Sequence, residues 1–374
     1  MKLKKLLSTA LCAVLGTVIV FSGCSGSGSE NSEASSSSVS SASESKTESK
    51  TESKTESKAE SKTESKAESK SESKEASKSE SSKSAESDAD YTPAMWKVTK
   101  GGKEMYLFGS IHATKDGAEN LPSYVQQAFD ECDYLAVELN VDDIMNNLEQ
   151  SLKFTKKMMY TDGTTIKDHI SKETYDSAVK LLTKHGMYTS YYDYFKPMMW
   201  ISLLENVIYK EAGIDISNSM ETIMSNKANK AGKEILEVEN MDIQMGVFDK
   251  ISDKLADALI SSYTEENAVK EAADSNKALY ESWKHGEVIG DTDSEEIPEE
   301  YKADYEAYNK AMLTDRNVGM ADKAEQYMND GKKVFFMVGA AHMYGDDGIV
   351  SLLKQRGYTV ERVSPTAESS KLAA

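Results

Sequence analysis

The chain has 374 residues and a formal net charge of −19, with 63 acidic side chains against 44 basic ones. Opposite charges balance over residues 1–87, so the acidic excess belongs to residues 88–374. An acidic surface repels nucleic acid and anionic lipid, so we expect no nucleic-acid partner, although solubility alone is a sufficient reason for the charge.

The first 23 residues have the layout of a secretory signal peptide, because basic MKLKK precedes a mostly apolar stretch. The stretch ends in Phe21-Ser22-Gly23-Cys24, which resembles the lipobox of bacterial lipoproteins, where the cysteine is acylated before cleavage. A lipid on Cys24 would anchor the protein to the extracytoplasmic face of the cell membrane. The alternative is an ordinary secreted protein in which Cys24 is incidental.

Residues 24–90 are expected to form a disordered linker after the lipidated cysteine. They consist mainly of Ser, Glu, Lys, Thr and Ala, and ESK recurs every four residues. In a helix this period would place Glu over Glu and Lys over Lys one turn apart. Since no apolar stripe is present, a solvated tether is expected rather than a helix.

Only one cysteine remains in the part of the chain that is expected to fold. Cys12 lies in the signal segment and Cys24 at the lipobox, which leaves Cys132. A single thiol cannot form an internal disulfide, so the core must stabilise the fold alone. We expect Cys132 to be a small buried residue, since its acidic neighbours would raise the thiol pKa and disfavour the alternative role of nucleophile.

Residues 91–374 alternate between apolar strands and helical stretches. MWKVTKGGKEMYLFG predicts a β-hairpin whose second strand spans 104–109. Further predicted strands are YLAVEL (134–139), KEILEVEN (233–240), VFFMVG (334–339) and YTVERV (358–363). Predicted helices fill 122–131, 142–231, 241–284, 299–329 and 346–356. The pattern predicts an α/β fold with a central mixed, partly parallel sheet flanked by helices and a helical middle insertion.

Four of these strands end on, or just before, a residue able to do chemistry. Those residues are His112, Glu138, Glu237, Glu239 and His342. If the strands are parallel neighbours, the residues meet at one edge of the sheet, where open α/β sheets bind their ligands. The sequence therefore predicts one site built from distant parts of the chain.

The spacing Gly-x-x-His occurs at the ends of two of these strands, as Gly109–His112 and Gly339–His342. Each glycine is expected to let the backbone turn sharply where a side chain would interfere. Two imidazoles with one or two carboxylates match the ligands of a catalytic divalent metal that activates water. The alternative is that each histidine is an ordinary hydrogen-bonded residue of the core or surface.

Several motifs occur together in a specific order. They are Trp96-Lys97-Val98, YLFGSIH, AVELN, GID at 213–215, KANKAGKEILEVENMDIQ, Asp315-Arg316-Asn317 and FFMVGAAHMYGDDG. In this order they resemble the TraB/GumN family, which includes the TraB and PrgY pheromone-shutdown proteins and the Tiki proteases. The resemblance covers nearly all of residues 92–363.

The resemblance implies a metal-dependent hydrolase, expected to be a peptidase that acts on a peptide or protein substrate with manganese, cobalt or zinc. It implies that His112 and His342 bind the metal, with Glu138 as third ligand or general base. The family's arginine falls on Arg316, which could hold a substrate carboxylate or an oxyanion, or instead form a salt bridge to a nearby acid. Glu237 is expected either in the site or in a hydrogen bond behind it.

This chain has Ser110 where the family usually has threonine, a mild departure that leaves the histidines undisturbed. The family's Gly-x-Asp falls on Gly213 and Asp215, and Asp215 is expected to cap a helix. A protein of the same fold could also sequester a peptide without cutting it, or capture haem or iron.

Overall fold

The computed structural model describes residues 91–115, 117–214, 216, 219–287 and 297–365. The expected signal peptide, Cys24 and the linker lie outside these residues, as does Asp215. The fold and the site are therefore described from Tyr91 onward.

Six strands form one mixed sheet in the order β4-β3-β5-β2-β1-β6. The strands are β1 Met95–Lys100, β2 Lys103–Ser110, β3 Tyr134–Val137, β4 Glu234–Glu237, β5 Val334–Gly339 and β6 Thr359–Val363. β1 runs antiparallel to β2 and β6, whereas β2, β5, β3 and β4 run parallel to one another. Gly101 and Gly102 both have positive φ (59° and 80°), as a two-residue hairpin turn between β1 and β2 requires. The predicted mixed, partly parallel sheet is confirmed.

Helices flank the sheet and fill the segment between β3 and β4. In chain order they are α1 Ser123–Asp130, α2 Val141–Asn146, α3 Leu148–Met158, α4 Lys172–Lys184, α5 Pro197–Ala212, α6 Met220–Ala231, α7 Met241–Phe248, α8 Asp253–Tyr263, α9 Ala268–Lys284, α10 Glu299–Asn309, α11 Asp315–Asn329 and α12 Ile349–Gln355. The helical middle insertion, α2–α6, is confirmed. None of the described helices is long and apolar enough to cross a membrane.

Short irregular helices interrupt the stretches that were predicted as continuous helix. Ile166–Asp168 and Ser190–Tyr194 form 3₁₀ turns within the middle insertion, and a π-helical turn at Lys310–Thr314 separates α10 from α11. A π turn shifts the register of the residues that follow it. It therefore sets which side chains at the start of α11 face the sheet.

The central parallel strands are buried on both faces, which explains their unbroken apolar runs. On one face Leu107 and Phe336 pack against residues of α11 and α12, including Met320 and Leu353. The opposite face packs against α1, α6 and α9 through Phe108, Phe335, Phe129, Met224 and Trp283. The middle insertion has a separate core around Trp200. Cys132 is buried in the sheet core, as expected.

Candidate active site

The parallel strands bring residues that are distant in sequence together at the carboxyl ends of the strands. β5 lies between β3 and β2, and Ser110 at the end of β2 is paired with Gly339 at the end of β5. Glu138 follows β3 directly, His112 lies two residues beyond β2, and His342 lies in a 3₁₀ turn, Ala340–Met343, that follows β5. The three side chains therefore leave neighbouring strands at the same end.

Gly339 lies at the centre of this group. A Cβ atom added to it would lie 3.2 Å from Oε1 of Glu138, 3.6 Å from Nε2 of His112 and 3.6 Å from Cδ2 of His342. Nε2 of His112 and Cδ2 of His342 are therefore at most twice 3.6 Å apart. The backbone N–H of Gly339 also donates to Oε1 of Glu138 at 2.7 Å. Any larger residue would fill the space between the three side chains.

Gly109 meets a different requirement, because an added Cβ would lie 3.0 Å from the Cα and Cβ atoms of Ala340. Its carbonyl accepts a hydrogen bond from Nε1 of Trp283 at 2.8 Å. Neither Gly109 nor Gly339 has positive φ. Neither glycine is therefore required by its backbone conformation. A side chain at either position would interfere with neighbouring atoms, as expected.

His342 is buried, and a neighbouring amide fixes its tautomer. Nδ1 lies 2.6 Å from Oδ1 of Asn317, whose Nδ2 donates to the carbonyl of Asp347 at 3.0 Å. An amide oxygen only accepts, so the proton is on Nδ1 and the lone pair on Nε2. Nε2 lies 3.9 Å from Oε1 of Glu138 and has no hydrogen-bond partner among the described residues. Burial, followed by the charge of Arg316, lowers the pKa of His342 to about 3, which keeps this ring neutral.

His112 is partly exposed and faces a carboxylate instead. Its Nδ1 lies 3.1 Å from Oε1 of Glu221, an ion-pair contact outside hydrogen-bond geometry, and Oγ of Ser110 donates to the same oxygen at 2.5 Å. Burial disfavours the charged ring, but Glu221 and, more weakly, Glu138 outweigh it and raise the pKa of His112 to about 9.

Glu138 is held between the two histidines and Arg316. Its Oε2 accepts from Nη2 of Arg316 at 2.6 Å and from Nε2 of Gln244 at 3.3 Å. Burial opposes its ionisation, but Arg316 above all, and then His342 and His112, lower the pKa of Glu138 to about 2. Glu138 is therefore a carboxylate at neutral pH.

Arg316 forms the salt bridge that was considered as one of its two roles. Nε contacts both carboxylate oxygens of Glu239 at 3.0 Å, and Nη2 donates to Oε2 of Glu239 at 2.6 Å. Nη1 donates to the carbonyl of Met312 in the π turn at 3.2 Å. With its guanidinium buried against two carboxylates, Arg316 orients Glu138.

Glu237 is not part of the group. Its side chain is exposed, and Oε1 accepts from the backbone N–H of Asn140 at 3.1 Å. Glu239, two residues later and also named at this strand end, is the acid beside Arg316. β4 ends at Glu237, and the chain then continues alongside Glu138 through a hydrogen bond that the N–H of Glu239 donates to the carbonyl of Glu138. Gly213 follows the end of α5, away from these contacts.

Sequence patterns did not indicate Glu221 or Glu205, and they gave no role to Asn317 although it lies in the motif Asp315-Arg316-Asn317. Glu221 and Asn317 stand behind the two histidines, and Glu205 is a buried carboxyl of α5. Burial raises the pKa of Glu205 to about 8, against the opposing effects of the Tyr263 hydroxyl and the charge of His112. The thiol of Cys132 is protonated at neutral pH, because burial raises its pKa to about 12.

The donor atoms at this edge suit a divalent cation. Two imidazole nitrogens and a carboxylate oxygen are ligands that zinc, manganese and cobalt accept. The buried Nε2 of His342, which carries a lone pair and lacks a partner among the described residues, is the kind of atom that an ion would satisfy. Their chemistry fits a cation, but among the same residues no group of three or more His, Cys, Asp and Glu side chains is arranged so that it could hold a metal ion.

Fold and site together define a class: an α/β protein whose mixed sheet carries two histidines and a glutamate at the carboxyl ends of its parallel strands. The chain belongs to the TraB/PrgY/gumN family, whose model matches residues 94–362. The family resemblance of the sequence motifs is thereby confirmed, and the match includes His112, Glu138, Arg316 and His342. No curated protein and no solved structure matches this chain.

Proposed function

We propose that this protein is a metal-dependent hydrolase that cleaves peptides on the extracytoplasmic side of the cell membrane and is anchored to that membrane by a lipid on Cys24. The arrangement of His112, Glu138 and His342 around Gly339 carries the proposal. Arg316 holds Glu138 from behind, and the Nδ1 side of each ring faces Glu221 or Asn317. Nε2 of His112 and Oε1 of Glu138 lie next to the same glycine, and Nε2 of His342 lies 3.9 Å from that Glu138 oxygen.

The metal ligands in this proposal are His112, His342 and Glu138. A bound manganese, cobalt or zinc ion supplies Lewis acidity and lowers the pKa of a coordinated water. His342 is neutral, so its Nε2 lone pair is available without loss of a proton. His112 must release its proton before it binds a cation, which makes metal affinity depend on pH.

Glu138 suits the role of ligand better than that of general base. A base works best when its pKa is near the working pH, and the pKa of Glu138 is about 2. The Arg316 contact holds one carboxylate oxygen, and the Gly339 N–H fixes the other toward the histidines. Arg316 in turn is oriented by Glu239, so its part in the proposal is to position Glu138 rather than to bind substrate.

The test uses the full chain, purified in detergent and incubated with a peptide library, with and without manganese or cobalt. We expect cleavage that a chelator stops and that both His112→Ala and His342→Ala abolish. His285→Ala is the matched control, because His285 is exposed at the end of α9. Activity retained in either site variant would exclude the assigned roles.

Other outcomes of this experiment identify the alternatives. Saturable peptide binding without products would support a sequestering protein, and a Soret band on addition of haemin would support haem capture. Membrane fractionation of a bacterial host tests the anchor separately, since Cys24→Ser should move the protein from the membrane fraction to the soluble fraction.

A further inference from the structure

Glu221 is a carboxylate of the first turn of α6 that contacts the strand end carrying His112. Ser110, Ile111 and His112 each contact this turn. Oγ of Ser110 donates to Oε1 of Glu221, the carbonyl of Ile111 accepts from the backbone N–H of Met220 at 3.2 Å, and Nδ1 of His112 lies 3.1 Å from Oε1 of Glu221. The start of α6 and the His112 segment therefore form one connected unit.

The helix start explains why a carboxylate is stable at this position. Ser219 caps α6 by accepting from the N–H of Thr222, and the positive end of the helix dipole favours an acidic side chain in the first turn. Helix capping alone does not require burial or a histidine partner. α4 has the same layout, with Ser171 as cap and Glu173 as second helical residue, but Glu173 is exposed.

Polar atoms that lack partners point to a tighter contact between Glu221 and His112. Nδ1 of His112 and Oε2 of Glu221 are both buried, and neither has a hydrogen-bond partner among the described residues. Unpaired buried polar atoms are costly, so Nδ1 of His112, which lies 3.1 Å from Oε1 of the same carboxylate, is expected to donate to Glu221.

We propose that Glu221 is a positioning residue of the site: its carboxylate, anchored by Ser110, holds Nδ1 of His112 so that Nε2 faces Gly339 and Glu138. This inference rests on the proposed function, in which Nε2 binds a divalent metal. A carboxylate behind a metal-binding histidine fixes the orientation of the ring and strengthens its basicity, and loss of such a partner typically weakens metal binding by about 10–100-fold.

The experiment compares Glu221→Ala and Glu221→Gln with the control Glu173→Ala in the full chain. One readout is the Kd for manganese by titration calorimetry. The second is the ring N–H proton signal of His112 in the metal-free protein, assigned by its absence in His112→Asn. A ring N–H held by a carboxylate gives a downfield signal that exchanges slowly with water.

Glu221→Ala should weaken manganese binding by about 10–100-fold and remove the slowly exchanging signal. Glu221→Gln should restore much of both, because its amide oxygen still accepts from Nδ1 and from Ser110. Glu173→Ala should leave both readouts unchanged. If Glu221→Ala does not fold, Ser110→Ala, which removes only the hydroxyl anchor, should still speed exchange of the His112 proton.

Two results separate this inference from the proposed function. If manganese binds to the wild-type chain and equally well to Glu221→Ala, with the His112 signal unchanged, the positioning role is overturned while the metal site stands. If the wild-type chain binds no manganese but Glu221→Ala still loses the signal, Glu221 positions His112 and the proposed metal function fails.

Discussion

The two Gly-x-x-His motifs lie side by side at the sheet edge, yet their histidines have different surroundings. The side chain of His342 is 1% exposed and its Nδ1 faces the neutral amide of Asn317. The side chain of His112 is 12% exposed and its Nδ1 faces the carboxylate of Glu221. The pKa of His342 is lowered by burial to about 3, whereas Glu221 overcomes burial to raise that of His112 to about 9.

This difference shows that the repeated motif determines the position of each histidine ring but not its charge. The motif places each ring next to Gly339, because both strands are parallel and adjacent to one another in the sheet. The surroundings of each ring determine its charge: burial and Arg316 keep His342 neutral, whereas Glu221 favours the protonated form of His112. One sequence pattern therefore gives a neutral histidine and a protonated one within the same site.

The largest expected effect concerns Arg316, which keeps Glu138 charged between the two motifs. Arg316→Met leaves Glu138 and Glu239 as buried carboxylates without a cation, and should lower the free energy of unfolding by about 3–5 kcal/mol at pH 7, measured by urea denaturation. Against its burial, Arg316 contributes most to lowering the pKa of Glu138 from 4.5 to about 2. The stability from this pairing is therefore present above pH 4.5 and lost as the pH falls towards 2, so the difference between the two proteins should shrink with acidification.

Arg356→Met is the control for this prediction. Arg356 also bridges two carboxylates, those of Asp322 and Glu325, but its side chain is 25% exposed. Exposed ion pairs contribute about 0–1 kcal/mol. Similar losses in the two variants would show that burial does not set the strength of the Arg316 contacts.

The two motif glycines should respond to alanine in opposite ways. Gly109→Ala pushes a methyl group against the backbone of Ala340 and should cost about 1–3 kcal/mol, seen as a lower Tm. Gly339→Ala places the methyl group between side chains that can adjust, so the Tm should change little, while manganese binding measured by calorimetry is lost. Gly109 would then be required for packing against Ala340, and Gly339 for the space between the site residues.

Gly319→Ala, in an exposed part of α11 with open space around the added methyl group, should stabilise the protein by about 0.5–1 kcal/mol. Gly109→Ala with an unchanged Tm, or Gly339→Ala with full manganese affinity, would contradict the contrast between the motifs.

Much of the sheet could be predicted from the sequence, because buried parallel strands are short apolar runs, and each of His112, Glu138 and His342 follows such a run within three residues. The partners of these residues could not. Glu221 in Ser-Met-Glu-Thr reads only as the start of a helix, and its contact with Ser110 depends on tertiary packing across 111 positions. Asn317 was part of a recognised motif, but nothing local indicates that it faces His342.

The position of Glu237 shows a second limit of sequence patterns. In a strand, residues two apart share a face, so Glu237 and Glu239 are equivalent in any alternating pattern. Regular pairing stops at Glu237 in the structure, and only Glu239 faces Arg316. The choice between the two depends on where the strand ends, and strand ends are set by neighbouring elements rather than by local sequence.

The most conservative substitution is Glu205→Gln, which replaces the carboxyl group of a buried acid by an amide of the same shape. The environment of Glu205 includes the charge of His112. Burial raises its pKa to about 8, so the folded protein keeps this proton while the unfolded chain releases it near 4.5. The folded state therefore loses stability relative to the unfolded state as the pH rises from 4.5 to 8. Glu205→Gln cannot ionise and still accepts from the Tyr263 hydroxyl, so its Tm should match wild type at pH 4.5 and exceed it at pH 8. Glu211→Gln, exposed on the same helix, should show no such trend. A pH-independent Tm difference for Glu205→Gln would mean that this acid is ionised in the folded protein and adds a negative charge near His112 to those of Glu221 and Glu138.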